Sequence, residues 1–162
     1  MTEESSSGDI RVAMVTGHHE YDVVDFQRML RAIPDIDFYP QHLEDFVIDS
    51  EEARSRYDVI AFYNYQQVTP GEGDDELGDR AKAPLEELGK TQQGILMLHH
   101  ALTAYPRWQY WLDICGVGDT TRAYQPGAPS RTDQKLHIEV ADPSHSITAG
   151  MASWDMVDET DN

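Results

Sequence analysis

Two adjacent histidines, His99 and His100, directly follow a short apolar segment of this 162-residue chain. The segment, residues 95–98, is too short and too apolar for an exposed strand, so it predicts a central strand buried on both faces. In an open α/β sheet, ligands bind beyond the carboxyl ends of the strands. Histidine can act as a general acid, a general base or a metal ligand near neutral pH. Position and residue type together predict a functional site here.

Two further predicted strands end in polar residues. The apolar segment 11–16 is followed by Gly17, His18 and His19, and the segment 57–63 is followed by a polar stretch at residues 64–67. If all three strands are parallel, their carboxyl ends meet at one edge of the sheet. We therefore expect an α/β fold with a mostly parallel, flavodoxin-like sheet and one histidine-rich crevice.

The loop after the first predicted strand has two interpretations. Gly17 lets the backbone approach a ligand closely, and the N-terminus of the following helix favours an anion or a hydroxyl-rich ligand, which makes His19 a candidate contact. Alternatively, the polar groups of this loop serve only to cap that helix. Neutral imidazole also binds metal, so His18, His19 and His99 are candidate ligands for a divalent metal such as zinc, with Glu20 or Asp22 completing the set. No dedicated spacing such as His-x-x-x-His supports this metal site.

The two histidines after the apolar segment are expected to differ in role. Adjacent residues leaving a strand point in different directions, so both cannot equally face one ligand. His99 occupies the sharp turn itself and is the predicted acid or base, whereas His100 is expected to support it. The alternative is that one of them is a core histidine hydrogen-bonded to the backbone.

Other residues near the strand ends are candidate ligand contacts. Asn64, together with His18, is expected to orient or polarise a substrate. Aromatic rings stack on the apolar faces of sugars, which makes Tyr65 and Tyr105 candidates. The helical spacing of Trp108 and Trp111 favours core packing instead.

These motifs, in this order, resemble the trehalose-utilization ThuA-like family. The resemblance covers residue 11 to the C-terminus. It rests on six segments: Val-Thr-Gly-His-His at 15–19, Tyr-Asp-Val-Ile at 57–60, Leu-His-His-Ala-Leu at 98–102, Tyr-Pro-Arg-Trp at 105–108, Asp-Pro-Ser-His-Ser-Ile-Thr-Ala-Gly at 142–150 and Asp-Glu at 158–159. The last segment departs from the family pattern in one place, because Asp161 follows Thr160 where the family usually has tyrosine.

The resemblance implies a doubly wound fold similar to class I glutamine amidotransferases and a role in sugar metabolism. It also implies that His145 is a substrate contact, although the residues around it favour a simple turn. In amidotransferases the nucleophilic cysteine follows the central strand, where this chain has His99. The single cysteine, Cys115, recurs at helical spacing with apolar residues and is expected to be a core residue. Glutamine hydrolysis through a thioester is therefore not expected.

Domain organisation and charge set further expectations. We expect an acidic, disordered tail at residues 1–9 and a ThuA-like domain at 10–162 that lacks its C-terminal part. The missing part would leave an edge of the sheet open, where homo-oligomers could form. The formal net charge of −18 repels phosphate backbones and weighs against nucleic acid. A lysine-poor acidic surface is typical of halophiles that accumulate salt, the alternative being an acidic protein of a mesophile.

The sequence also predicts a cellular location and a function. The chain has no apolar segment of membrane-spanning length, no signal-peptide start and only one cysteine, which together predict a cytoplasmic protein. We expect it to act on, or bind, a carbohydrate or an oxidised sugar derivative. The alternative is a noncatalytic carbohydrate-binding or interaction module, because no motif of the sequence demands catalysis.

Overall fold

The computed structural model describes residues 9–72, 76–117 and 131–160, and gives only the backbone of residues 76–79. The predicted acidic tail lies outside the described residues except for Asp9. The chain divides into two compact units, Met1–Thr121 and Arg122–Asn162.

A four-stranded, all-parallel sheet forms the centre of the first unit. Its strands lie in the order β2-β1-β3-β4. All three pairings are parallel, which confirms that the three predicted strands run in the same direction. The strands are β1 (Ile10–Gly17), β2 (Ile36–His42), β3 (Val59–Asn64) and β4 (Gly94–Met97).

Helices connect these strands, and residues with recognised capping roles mark the ends of two of them. The side chain of Asp22 accepts a hydrogen bond of 2.9 Å from the backbone N–H of Asp25 and so caps α1. Gly116, with φ of 64°, ends α5 in the left-handed conformation. The helices are α1 (Val23–Arg31), α2 (Leu43–Ile48), α3 (Glu51–Arg54), α4 (Glu76–Glu86) and α5 (Gln109–Cys115), with a short 3₁₀ helix at His99–Thr103.

The sheet buries apolar side chains on both faces. Ala13 and Val15 of β1 join one core cluster, which includes Phe46 from α2, whereas their neighbours Val12 and Met14 join a second cluster. This alternation follows from the two-residue period of a strand. The first unit is therefore a mixed α/β structure with a parallel sheet covered on two faces.

The position of β4 differs from the prediction of a central strand buried on both faces. Within the described residues β4 pairs only with β3 and forms an edge of the sheet. Its residues alternate between exposed and half-buried, and Leu96 is 47% exposed. Periodicity could not reveal this, because a short apolar segment looks alike in a central and an edge strand.

The second unit contains an antiparallel pair of strands, β5 (Arg131–Ile138) and β6 (Trp154–Thr160). Half-buried residues alternate with exposed ones along β5, as expected of a strand with one solvated face. His137 Nδ1 lies 2.7 Å from a carboxylate oxygen of Asp155 on β6. In the described parts of both units, no helix has the length and apolar character needed to cross a membrane.

Candidate functional site

The carboxyl ends of β1, β3 and β4 lie at the same edge of the sheet. Gly17, the last residue of β1, is in register with Asn64, the last residue of β3. Beyond β4, the backbone N–H of Leu98 donates to the carbonyl oxygen of Phe62 at 2.9 Å, so the chain reaches His99 close to the end of β3. Strand order reverses between β1 and β3, and crevices at such a reversal are the usual ligand sites of open α/β sheets.

Three histidines meet at this edge, and we call them the histidine cluster: His19, His99 and His100. One nitrogen from each ring lies within 4.8 Å of the others. The ring centroid of His19 is 4.8 Å from that of His99 and 5.0 Å from that of His100. The cluster therefore joins the loop after β1 to the turn after β4.

The expectation that the side chains of His99 and His100 point in different directions is wrong. Their rings stack with centroids 3.9 Å apart and an interplanar angle of 27°. The rule of alternating directions applies to a continuing strand, but His99 has a φ of 54° and starts the 3₁₀ helix. The chain turns at that residue, which brings both side chains to the same side.

The candidate metal set is revised accordingly. The sequence favoured His18, His19 and His99, whereas the structure groups His19 and His99 with His100. His18 is exposed and is not part of this group. The group holds no carboxylate, and Asp22, predicted as a further ligand, instead caps α1.

Two histidines of the site have left-handed backbone conformations. His18 has a φ of 55° and His99 a φ of 54°. A residue with a β-carbon in this region costs roughly 1–3 kcal/mol and persists where the surrounding structure imposes it, often at functional sites. The sharp turn expected at His99 is thus present, and a second turn of the same kind precedes His19.

The tautomer of His19 follows from its hydrogen bond. Its Nδ1 lies 2.7 Å from the backbone carbonyl oxygen of Glu20. A carbonyl oxygen can only accept a hydrogen bond, so Nδ1 carries the proton and donates. In the neutral ring this leaves Nε2 with its lone pair, available to a proton or a metal ion.

Tyrosines from β3 and the loop after it flank the histidine cluster. The ring of Tyr65 is 4.6 Å from that of His100, and the ring of Tyr63 is 5.1 Å from that of His19. Both tyrosines are half-buried. The site therefore combines imidazole nitrogen atoms with two aromatic rings, and Tyr65 lies where the sequence predicted a ligand contact.

Gly17 contacts side chains of the protein itself. A β-carbon at this position would lie 2.8 Å from Nε2 of Gln66 and 3.2 Å from Nε2 of His42. The glycine thus permits a close approach, but the approaching groups are these two side chains. Neither was predicted as a site residue, although Gln66 belongs to the polar stretch at 64–67 that follows β3.

Asn64 and Gln66 form a buried pair of amides beside Gly17. Asn64 is 1% exposed, and its Nδ2 donates to Oε1 of Gln66. Within the described residues, Oδ1 of Asn64 and Nε2 of Gln66 have no hydrogen-bond partner. Buried polar groups are usually satisfied, so this amide pair retains unused hydrogen-bonding capacity beside Gly17, at the carboxyl ends of β1 and β3.

Two other predicted contacts lie in different surroundings. Tyr105 is 2% exposed and packs its ring against Trp108 and Trp111, which leaves almost no surface for a ligand. His145 belongs to the second unit, where its Nδ1 accepts a hydrogen bond of 3.2 Å from the backbone N–H of Ile147. That geometry is the turn that its neighbours favour.

Cys115 has the properties of a packing residue. It lies on α5 and packs, half-buried, against the larger core cluster. Burial raises the pKa of its thiol to about 11, so little of it is thiolate at neutral pH.

Comparisons with family models, curated proteins and solved structures returned no match to this chain. Its resemblance to the ThuA-like family therefore rests on the sequence motifs, and its function has to be argued from the site.

Proposed function

We propose that the protein is a ThuA-like protein of sugar metabolism that acts on, or binds, a carbohydrate or an oxidised sugar derivative at the histidine cluster. The observation that carries this proposal is the convergence of three histidines and two tyrosines at the carboxyl ends of parallel strands. These side chains offer hydrogen-bonding nitrogen atoms and aromatic rings together, which suits a ligand with many hydroxyl groups and apolar ring faces.

The fold proposed for the whole domain is the doubly wound, flavodoxin-like sheet of class I glutamine amidotransferases. The order β2-β1-β3-β4 equals the first four positions of the flavodoxin order 2-1-3-4-5. Leu30 of α1 belongs to the core cluster on one face of the sheet, and Phe46 of α2 to the cluster on the other. Helices on both faces support this assignment.

The charge of the chain favours an uncharged ligand. A formal net charge of −18 repels phosphorylated compounds and nucleic acids at long range. The residues of the histidine cluster bring no fixed positive charge, such as an arginine, that would offset this repulsion locally. Neutral sugars and their keto derivatives meet no such penalty.

If the protein is an enzyme, His99 is the proposed acid or base. It occupies the turn where amidotransferases place their nucleophile, and imidazole can accept or donate a proton near neutral pH. His18 and the buried Asn64 are proposed to orient the substrate. Glutaminase chemistry is not proposed, because the single thiol, Cys115, lies on α5 with a raised pKa.

The second candidate function is a noncatalytic carbohydrate-binding module. The same tyrosines and histidines could bind a sugar without changing it, and a fold alone does not decide between binding and catalysis.

A sugar panel tests both candidates. The panel contains glucose, trehalose and their keto and acid derivatives, with binding followed by calorimetry and conversion by NMR. We expect saturable binding that is lost in Tyr65→Ala and His99→Asn, since asparagine tolerates the left-handed backbone of position 99. The matched surface control is His137→Asn.

Conversion of a bound sugar identifies an enzyme, and binding without conversion identifies the module. The proposal is overturned if no member of the panel binds, or if Tyr65→Ala and His99→Asn bind as well as the His137→Asn control.

A further inference from the structure

We propose that His19, His99 and His100 form a site for one divalent transition-metal ion, with zinc as the first candidate. Three neutral imidazoles are the protein ligands of a known type of catalytic zinc site, which keeps its fourth position for water or substrate. The metal site itself does not depend on the proposed function. Only the identity of the fourth ligand depends on the proposed function.

The distances are within reach of coordination. Two nitrogen atoms bound to one tetrahedral zinc at about 2.0–2.1 Å lie about 3.3 Å apart. The candidate nitrogen atoms of the cluster lie within 4.8 Å of one another. Coordination therefore requires movements of up to about 1.5 Å, which ring rotations can provide. The near-parallel rings of His99 and His100 have to tilt toward the ion, because imidazole lone pairs lie in the ring plane.

The hydrogen bond of His19 supports its assignment as a ligand. Metal-binding histidines almost always donate their second ring N–H to a carboxylate or a backbone carbonyl. His19 does so through Nδ1 to the carbonyl oxygen of Glu20 at 2.7 Å. This bond holds the ring in the tautomer whose Nε2 can bind metal before any ion arrives.

The backbone at the site also supports a ligand role. His99 is held in the left-handed conformation at the start of the 3₁₀ helix, where glycine or asparagine would be less strained. Strain of this kind is maintained where the side chain is needed at that place. Here it brings the imidazole of His99 next to those of His19 and His100.

The ligand set predicts which metals bind. Nitrogen ligands suit zinc, cobalt, nickel and copper, whereas magnesium and calcium require oxygen ligands. The cluster contains no carboxylate. We therefore expect selectivity for the first group even though the protein surface is strongly acidic.

A bound ion would also deepen the proposed function. Its open position could take a carbonyl or hydroxyl oxygen of the sugar, and a metal ion polarises such an oxygen as a Lewis acid. Tyr63 and Tyr65 lie beside the histidine cluster, where they can contact the rest of the sugar ring.

Metal titration without sugar tests the site. Chelator-treated protein is titrated with zinc by calorimetry and with cobalt by visible absorption, in molar potassium chloride to screen binding to surface carboxylates. We expect one ion per chain. His19→Ala, His99→Asn and His100→Ala should each lower the affinity by at least about a hundredfold, because even residues that only support a ligand are worth 10–100-fold.

The matched control is His18→Asn. Positions 18 and 99 have φ values of 55° and 54°, so the same substitution places asparagine in the left-handed region at both. Only His99 belongs to the cluster, and His18→Asn should therefore keep wild-type metal affinity. X-ray absorption of the wild-type zinc complex counts its imidazole ligands directly, which makes the test independent of how well any variant folds.

The proposal is overturned if no zinc or cobalt binds stoichiometrically, if His18→Asn weakens binding as much as His99→Asn, or if the absorption spectrum shows mainly oxygen ligands. Running the sugar panel with and without zinc separates the two proposals. Zinc binding without any sugar binding overturns the proposed function alone, and sugar binding without zinc binding overturns the metal site alone.

Discussion

Replacement of Gly17 by alanine is expected to destabilise the protein by crowding the buried amide pair. The new β-carbon would lie 2.8 Å from Nε2 of Gln66, well inside ordinary van der Waals contact. The side chain of Gln66 has little room to move away, because the residue is 6% exposed and its Oε1 accepts from Nδ2 of Asn64. Overpacking of a well-packed interior costs about 1–3 kcal/mol. The φ of 156° at Gly17 adds backbone strain for alanine, so we expect Gly17→Ala to cost at least this much.

Urea unfolding, followed by tryptophan fluorescence at constant salt, measures this effect. With a slope of about 1–3 kcal/mol/M, the midpoint should fall by roughly 1 M. Gln66→Ala removes the side chain that the new methyl group would meet. In that background Gly17→Ala should cost less, with a coupling free energy of at least about 0.5 kcal/mol.

The matched control is Gly116→Ala, where a β-carbon would meet nothing within 4 Å and φ is 64°. It should cost only the left-handed strain, roughly 1 kcal/mol, and show no coupling to Gln66→Ala. The reasoning is refuted if Gly17→Ala and Gln66→Ala are additive within error, or if Gly17→Ala leaves the free energy of unfolding unchanged.

Two further predictions concern the thiol and the surface charge. Burial raises the pKa of Cys115 from 9.0 to about 11, so iodoacetamide at pH 8 should alkylate the folded protein about 100-fold more slowly than the urea-unfolded chain, as measured by mass spectrometry. Equal rates would contradict a half-buried thiol. Because folding raises this pKa, the stability that the neutral thiol contributes is present below about pH 9 and is lost as the pH rises toward 11. Cys115→Ala should abolish this loss of stability. The net charge of −18 predicts that the melting temperature rises steeply with potassium chloride up to molar concentrations, because salt screens repulsion between carboxylates. A melting temperature that stays constant or falls with salt would refute the halophilic interpretation.

The local features of the fold could be predicted from the sequence. Apolar segments bounded by polar residues located β1, β3 and β4, and the helical spacing of Trp108 and Trp111 indicated α5. These signals are local, because strand and helix periods and capping residues act within a few positions of one another. The meeting of the strand ends followed on the condition that the strands are parallel, which the observed pairing confirms.

The composition of the site was decided by tertiary structure. His99 takes a φ of 54°, and this one dihedral places His100 beside it instead of opposite it. The edge position of β4 depends on which strands pair with it, and the space beside Gly17 depends on how Gln66 and His42 pack. Such contacts join residues far apart in the chain, or follow from a single backbone angle, and no periodic pattern records either. The sequence alone therefore determined that histidines follow the predicted strands, whereas only the folded chain decided that the strands are parallel and that His19, His99 and His100 are the ones that meet.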